Sequence, residues 1–215
     1  MQIIPSILVT SEEEFTSQIN SVQNVLNQVQ LDIADGKFVP STTWAEPEVV
    51  QKICKIAVEL HLMVEEPLKE LQRWVNCSPV NRVLIHLESK NVDQAIIFAK
   101  KNNWQVGLVL NPETNIENLE KYLEKIDTVM FMGIVPGKQG QKLIPEVLHK
   151  ALELNATYPT LFTEWDGGVN EDTLPDIYES SIQAVCPGSA IFKNNFSPEE
   201  NLKKFTEIIH KLTIT

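Results

Sequence analysis

The sequence predicts a single α/β domain over residues 1–215, folded as a (β/α)8 TIM barrel. Apolar, β-branched runs alternate with segments of helical periodicity about every 25 residues, which is typical of a parallel sheet covered by helices. Eight such units suit a closed barrel. An open doubly wound sheet would usually carry a glycine-rich turn after its first strand, and Thr10-Ser11-Glu12 stands there instead.

Eight strands are predicted from the apolar runs. They span Ile3–Val9, Val29–Ile33, Val58–Val64, Val83–Leu87, Gln105–Leu110, Thr128–Ile134, Leu161–Trp165 and Ile182–Cys186. The helices between them are predicted from apolar residues at helical spacing and from start signals. These signals are a capping box of Ser11 and Glu14, prolines 47, 67 and 145, apolar positions in 92–101, 116–123 and 174–178, and Ser197 before the last helix.

Composition excludes several classes of protein. The net charge of −11 and an isoelectric point near 4.8 disfavour nucleic acid and anionic membranes as partners. No run approaches the roughly 18 apolar residues of a membrane span. The N-terminus enters a strand pattern without a basic region, so no signal peptide is predicted. The three cysteines, Cys54, Cys77 and Cys186, have no metal or redox spacing, which favours a reducing cytoplasm.

Polar residues alternate with apolar ones near the ends of several predicted strands. Because side chains alternate between the two faces of a strand, Asp32 should point into the lumen while its apolar neighbours face the helices. The same rule turns His61 and Asp166 inward. Buried charges are costly unless they are paired or ligated, so we expect these three residues to converge. The residues expected to share the lumen with them are Gln30, Ala34, Glu59, Met63, Met130, Met132, Ile134 and Glu164, whereas Leu31, Ile33 and Trp165 should face outward.

Glycines gather in three loops that follow the sixth, seventh and eighth predicted strands. Glycine allows backbone N–H groups to approach an anion closely. A phosphate site formed after strands seven and eight is frequent in this barrel. The glycines therefore predict a phosphate-binding cradle.

Several motifs fall in the order and spacing of one known family. They are Pro5-Ser6-Ile7-Leu8, the segment Asp32–Pro40, His61-Leu62-Met63-Val64, Asn111-Pro112-Glu113-Thr114, Pro136-Gly137 with Gly140-Gln141, Asp166-Gly167-Gly168-Val169 and Gly188-Ser189-Ala190-Ile191. The series resembles the ribulose-phosphate 3-epimerases, which interconvert ribulose 5-phosphate and xylulose 5-phosphate. The similarity runs from Ile4 to about Phe192.

The resemblance implies a role for each matched residue. Asp32 and Asp166 match two catalytic carboxylates that are also metal ligands, and His61 matches a histidine that contacts metal and substrate. The remaining matches imply contacts with a phosphorylated ketose. They are Ser6, the methionines Met63 and Met132 around the reacting carbons, and the phosphate cradle of Gly137, Lys138, Gln139, Gly140, Gly167, Gly168, Gly188 and Ser189. The resemblance also implies a dimer or a larger homo-oligomer.

The sequence departs from the family pattern at Gln30, where the family has a metal-binding histidine. Two alternatives follow. The site could hold a divalent ion (zinc, iron, manganese, cobalt or magnesium) through Asp32, His61 and Asp166, with Gln30 as a weaker fourth candidate. It could instead be metal-free, with the two aspartates transferring protons from opposite sides of a flat enediolate.

Three further departures lie in the predicted pocket. Ala34 replaces a lining methionine, Gly133 stands where the family has a hydroxyl-bearing or small residue, and Lys138-Gln139 occupy the middle of a loop that reads Gly-Phe-Gly-Gly in the family. Two functions therefore stay open beside the pentose epimerase. Extra room at Ala34 and Gly133 would suit a six-carbon hexulose 6-phosphate. Loss of the histidine would suit a phosphosugar-binding barrel without catalysis.

Overall fold

A computed structural model describes residues 1–137 and 141–214. Over these residues the chain forms one sheet of short parallel strands. In chain order they are β1 (Gln2–Ile3), β2 (Ser6–Ile7), β3 (Gln28–Ala34), β4 (Ala57–Met63), β5 (Val80–His86), β6 (Gln105–Leu110), β7 (Thr128–Met132), β8 (Phe162–Asp166) and β9 (Ala184–Cys186). Their order in the sheet is β1-β9-β8-β7-β6-β5-β4-β3-β2.

The sheet closes through its first two segments. β1 pairs with β9 and β2 pairs with β3, and only two residues separate β1 from β2. The Ile4 N–H donates to Val185 O at 2.9 Å, and the Gln30 N–H donates to Pro5 O at 3.0 Å. The predicted eight-stranded barrel is thereby confirmed. The single strand predicted over Ile3–Val9 is wrong in extent, because Pro5 has no N–H to continue the ladder.

Helices cover the outside of the sheet. They are α1 (Glu12–Val22), α2 (Pro47–Ile53), α3 (Pro67–Arg73), α4 (Val92–Lys101), a 3₁₀ helix (Ile116–Lys125), α5 (Pro145–Thr157), α6 (Leu174–Glu179), α7 (Ser189–Phe192) and α8 (Pro198–Thr213). Of the helices in the described residues, none has the length and apolarity needed to cross a bilayer.

Helix starts follow the predicted signals with one difference. Ser197 and Glu200 form a reciprocal capping box at α8. At α1 the Ser11 hydroxyl accepts the Glu14 N–H at 3.2 Å, but the Glu14 carboxylate accepts the N–H of Thr10 rather than that of Ser11. The helix start was therefore correct, and the reciprocal half of its box lies one residue earlier.

The barrel separates two apolar regions. Leu31, Ile33 and Trp165 belong to the large core between sheet and helices. A second cluster fills the lumen and includes Met130 and Met132. The predicted alternation of inward and outward side chains is confirmed at these positions. β5, however, begins at Val80 and not at the predicted Val83, so the predicted strand left out one inward-facing charge, that of Arg82.

Candidate active site

Three buried side chains, here called the upper trio, meet at the carboxyl end of the lumen. Asp32 lies on β3, His61 on β4 and Asp166 at the end of β8. His61 Nδ1 is 3.0 Å from Asp32 Oδ1 and 3.3 Å from Asp166 Oδ2. The register of β3 and β4 sets Asp32 beside His61, and strand alternation turns the trio inward. The structure thus brings together the residues that the sequence selected, and their roles stay predictions.

Gln30 lies directly among these groups. Its fully buried side chain donates from Nε2 to Asp32 Oδ1 at 2.9 Å and to Asp166 Oδ2 at 2.7 Å. The same nitrogen is 3.4 Å from His61 Nδ1. The amide therefore bridges the two carboxylates, which approach a common point from two sides.

The donor atoms suit a divalent cation. One ligand atom each from Asp32, His61 and Asp166 lies within 4.8 Å of the others, a spread that a single ion could span. Gln30 Oε1 is buried and has no hydrogen-bond partner among the described residues. A half-turn of the amide would bring this oxygen to the place of Nε2. Three oxygens and one imidazole nitrogen form a mixed set that suits both hard and borderline ions.

The excess of negative charge in the lumen favours a cation at the upper trio. Among the described residues, four carboxylates and one guanidinium are buried in the lumen, those of Asp32, Glu59, Glu164, Asp166 and Arg82. Excess negative charge in a low dielectric is relieved by protonation or by a bound cation. Burial raises the pKa of Asp32, and the neighbouring Asp166 raises it further, although the hydrogen bond with His61 opposes them. A cation held by the upper trio would relieve the same excess.

A second charged layer lies deeper in the lumen. Arg82 Nη1 donates to Glu59 Oε2 at 3.1 Å and also donates to Glu164 Oε1. Burial raises the pKa of Glu59 well above its ordinary value and that of Glu164 to about 7, while Arg82 lowers both. Sequence reasoning placed both glutamates inside but missed Arg82, because the fourth strand was predicted to begin one residue after it.

His86 and Glu88 extend the network toward the barrel rim and were also missed. The Nε2 atoms of His61 and His86 are 2.9 Å apart, and His86 Nδ1 is 3.4 Å from Glu88 Oε2. Burial lowers the pKa of His86 to about 4. Burial alone would lower the pKa of His61 too, but hydrogen bonds with Asp166 and Asp32 raise it to about 9. Arg82, Leu84 and His86 stand two residues apart, and this alternation could have predicted that Arg82 and His86 face the lumen from the same strand.

Two adjoining cavities open at this end of the barrel. The larger, about 280 Å³, is lined by six of the predicted residues: Ser6, Asp166, Gly167, Gly168, Gly188 and Ser189. The smaller, about 20 Å³, is lined by the other group: Asp32, His61, Met63, Met132, Gly137 and Asp166. Ile134 and Asp166 line both. Lys193, also at the larger cavity, was not predicted. Lys138, Gln139 and Gly140 lie outside the described residues.

The loop after β8 has a backbone that glycine favours. Gly167 and Gly168 have φ angles of +97° and +68°. A Cβ atom on Gly168 would lie 2.9 Å from the backbone of Leu143. This close approach leaves the peptide edges of the loop beside the larger cavity, as a backbone anion cradle requires.

Sequence comparison places the chain among known proteins. A profile described as the ribulose-phosphate 3 epimerase family matches residues 2–192. The chain belongs to the ribulose-phosphate 3-epimerase family. Its curated relatives in this family include the ribulose-phosphate 3-epimerase of Helicobacter pylori strain J99, which is 31% identical over 201 residues, covering 90% of this chain and 92% of that protein. The Bacillus subtilis enzyme is 29% identical, with coverages of 89% and 92%.

Solved structures agree on the fold of this family member. The 3-hexulose-6-phosphate synthase of Salmonella typhimurium superposes with a TM-score of 0.75 at 13% identity, over 99% of this chain and 100% of that one. Thiamine phosphate pyrophosphorylase from Pyrococcus furiosus gives a TM-score of 0.66 at 11% identity, with coverages of 98% and 96%. At these identities the likeness concerns the barrel alone.

One of the two departures from the family pattern, Gly133, does not create the extra room predicted for a six-carbon sugar. A Cβ at Gly133 would meet the Trp165 indole and lie 2.6 Å from Gly167 O, so the space beside Gly133 is already occupied by these neighbours. Ala34 clusters with Val39 and Met63. The extra-room prediction is therefore wrong at Gly133, because its open side faces the outward-pointing Trp165 and not the lumen.

The geometry of the glycine loop predicts that G168A affects KM more than kcat. The added Cβ would meet Leu143, and alanine is strained at a φ of +68°. We expect the loop to shift and KM for ribulose 5-phosphate to rise at least about tenfold, with a smaller fall in kcat, as one lost charge-assisted hydrogen bond would cause. Steady-state kinetics and inhibition by inorganic phosphate measure both. An unchanged KM would show that this loop does not hold the phosphate.

Proposed function

We propose that this chain interconverts ribulose 5-phosphate and xylulose 5-phosphate, with Asp32 and Asp166 as the acid–base pair. The observation that carries the proposal is the pair of buried carboxylates, joined through Gln30 and His61, at the edge of a glycine-rich cavity. The phosphate would lie on the backbone of Gly167, Gly168, Gly188 and Ser189, which leaves the reacting carbons near Asp166, the residue that lines both cavities.

The reaction needs one carboxylate on each face of C3. An ionised aspartate removes the C3 proton, and the bonding electrons form the C2–C3 double bond of an enediolate whose charge rests on the C2 oxygen. The second aspartate, which carries a proton, delivers it to the opposite face of C3. After one turnover the two aspartates have exchanged protonation states.

His61 and Gln30 would hold the pair in place. Both contact the two carboxylates, so neither carboxylate can turn away without losing a hydrogen bond. Met63 and Met132 would supply an apolar, adaptable wall beside the planar intermediate. Ser6 lines the larger cavity and would contact the substrate.

A divalent ion would be held by Asp32, His61 and Asp166, with the turned amide oxygen of Gln30 as fourth ligand. When bound, it would stabilise negative charge on the enediolate oxygens. We propose an oxygen-preferring ion such as manganese or magnesium over zinc, because Gln30 replaces an imidazole nitrogen by an oxygen. Removal of the ion by chelation should abolish turnover, and return of the preferred ion should restore it.

The ligand proposal predicts a change of metal preference in Q30H. We expect zinc affinity to rise at least about tenfold relative to manganese, because imidazole binds zinc better than an amide oxygen does. Isothermal titration with each metal alone measures the two affinities. Q72H, the same change at an exposed position of α3, serves as the control and should leave the preference unchanged. Equal preferences in Q30H and the unmodified chain would remove Gln30 from the ligand set.

Turnover of ribulose 5-phosphate, together with exchange of its C3 hydrogen for solvent deuterium, tests the proposed reaction. Epimerisation with exchange supports it. Binding without exchange would favour the phosphosugar-binding alternative, and faster turnover of a hexulose 6-phosphate would favour the six-carbon alternative. A homo-oligomer and a cytoplasmic location are further proposals from the family resemblance, and light scattering with cell fractionation would measure them.

A further inference from the structure

A file of polar side chains runs from the upper trio to the rim of the barrel. His61 Nε2 is 2.9 Å from His86 Nε2, and His86 Nδ1 is 3.4 Å from Glu88 Oε2. Both imidazoles are fully buried, whereas the Glu88 side chain is one-quarter exposed. The other Glu88 oxygen accepts the Asn111 N–H at 3.0 Å and the Thr114 hydroxyl. Glu88 is therefore fixed at one oxygen while its second oxygen faces His86.

The pairing of donors and acceptors determines which nitrogens carry hydrogen. His86 Nδ1 makes no hydrogen bond within the described residues, and the Glu88 carboxylate that it faces lies at ion-pair distance. Because an ionised carboxylate only accepts hydrogen bonds, this contact favours a hydrogen on His86 Nδ1. A neutral imidazole that donates from Nδ1 has a lone pair on Nε2. Two facing Nε2 atoms at 2.9 Å need one hydrogen between them, and His61 must then supply it. Phe38, whose ring centroid is 4.7 Å from that of His86, packs against the second imidazole.

We propose that His86, oriented by Glu88, is a positioning residue that accepts a hydrogen bond from His61 Nε2 and so holds the ring angle of His61, with His61 Nδ1 facing Asp32 and Asp166. The inference rests on the proposed function, because it gives His61 its place in the acid–base site. Neither His86 nor Glu88 would touch the reacting carbons. Their effect on turnover is transmitted through one hydrogen bond to His61.

Nitrogen NMR of the unmodified chain tests the hydrogen assignment directly. The chain has four histidines, and H86Q and H149Q assign two of them by the loss of their signals. Long-range ¹H–¹⁵N correlation at neutral pH should show His86 with a protonated Nδ1 and a bare Nε2. A proton on His86 Nε2 would overturn the proposal, whether or not the chain proves active. Absent turnover in the unmodified chain would instead count against the proposed function.

E88Q separates positioning from simple packing. Its amide oxygen can keep the contacts with Asn111 and Thr114, which leaves the NH₂ group facing His86 Nδ1. Two donors would then face each other, so His86 should move its hydrogen to Nε2 and lose its acceptor for His61. We expect the tautomer signals to switch and kcat to fall about 10–100-fold, the usual effect of removing the partner of a metal-binding or active-site histidine, with KM nearly unchanged.

Two comparisons complete the experiment. E65Q alters a half-exposed glutamate at the same end of the barrel, paired with Lys90, and should leave both the His86 signals and kcat unchanged. H86Q can place an amide oxygen near the lost Nε2 and should retain more activity than H86F, which cannot accept a hydrogen bond. An E88Q protein with unchanged tautomer signals and unchanged kcat would overturn the proposal, as would equal activities of H86Q and H86F.

Discussion

D32N and D166N are each expected to lower kcat for epimerisation about a thousandfold. Asparagine keeps the size of the side chain but can neither accept nor deliver the C3 proton, and acid–base catalysis of this kind contributes about 10²–10⁴-fold. The fall should appear in kcat rather than in KM, because the phosphate contacts lie on the glycine loops. D93N alters an exposed aspartate on α4 and should retain nearly full activity. Residual activity above about a tenth in either active-site variant would contradict the two-aspartate proposal.

Exchange of the C3 hydrogen with solvent tests each aspartate separately. Each variant keeps one aspartate, which can still remove and return the C3 hydrogen on its own face. In deuterium oxide, D32N should therefore exchange the C3 hydrogen of one epimer only, and D166N should exchange that of the other. Metal content is measured in parallel, since both residues are also proposed ligands. Exchange of both epimers by one variant would mean that another group acts as the second base.

Among the variants considered, R82M is expected to lower the free energy of unfolding most, by about 3–5 kcal/mol. The guanidinium is the cation that contacts both Glu59 and Glu164, and removal of one partner leaves buried carboxylates uncompensated. Urea unfolding measures the loss. R73M is the matched control, because Arg73 is 41% exposed beside its glutamates, and such surface pairs contribute about 0–1 kcal/mol. Additional E59Q and E164Q changes in the R82M chain should restore much of the stability.

The contribution of Glu164 to folding stability should fall as the pH rises. Glu164 has a folded-state pKa of about 7, above the ordinary 4.5 that it has when unfolded. Its protonated form therefore stabilises the fold fully below about pH 4.5, and that contribution is lost as the pH rises through 7. Without Arg82 the folded pKa rises further, so the deficit of R82M should be larger at pH 8 than at pH 5. A deficit that does not change with pH would show that Arg82 acts through packing alone.

The barrel and most of the candidate site could be predicted because their signals are local. Strand alternation alone turns Asp32, His61 and Asp166 toward one lumen, and parallel strands bring their carboxyl ends to one edge of the sheet. The glycines at 167 and 168 predicted a backbone phosphate cradle, and both have the positive φ angles that glycine favours. The strand limits at Pro5 and at the start of β5 were predicted wrongly, because a few residues of local pattern define strand boundaries poorly.

Periodicity and motifs in the sequence were sufficient to predict the fold class, the inward-facing carboxylates and the family. The partners of the buried charges became visible only in the folded barrel: Gln30 lies between the two aspartates, Arg82 between two glutamates and His86 behind His61. It also decided that Gly133 faces the Trp165 indole and adds no room to the pocket. The physical reason is that strand periodicity sets only the direction of a side chain, whereas its partners depend on the stagger of strands around a closed barrel.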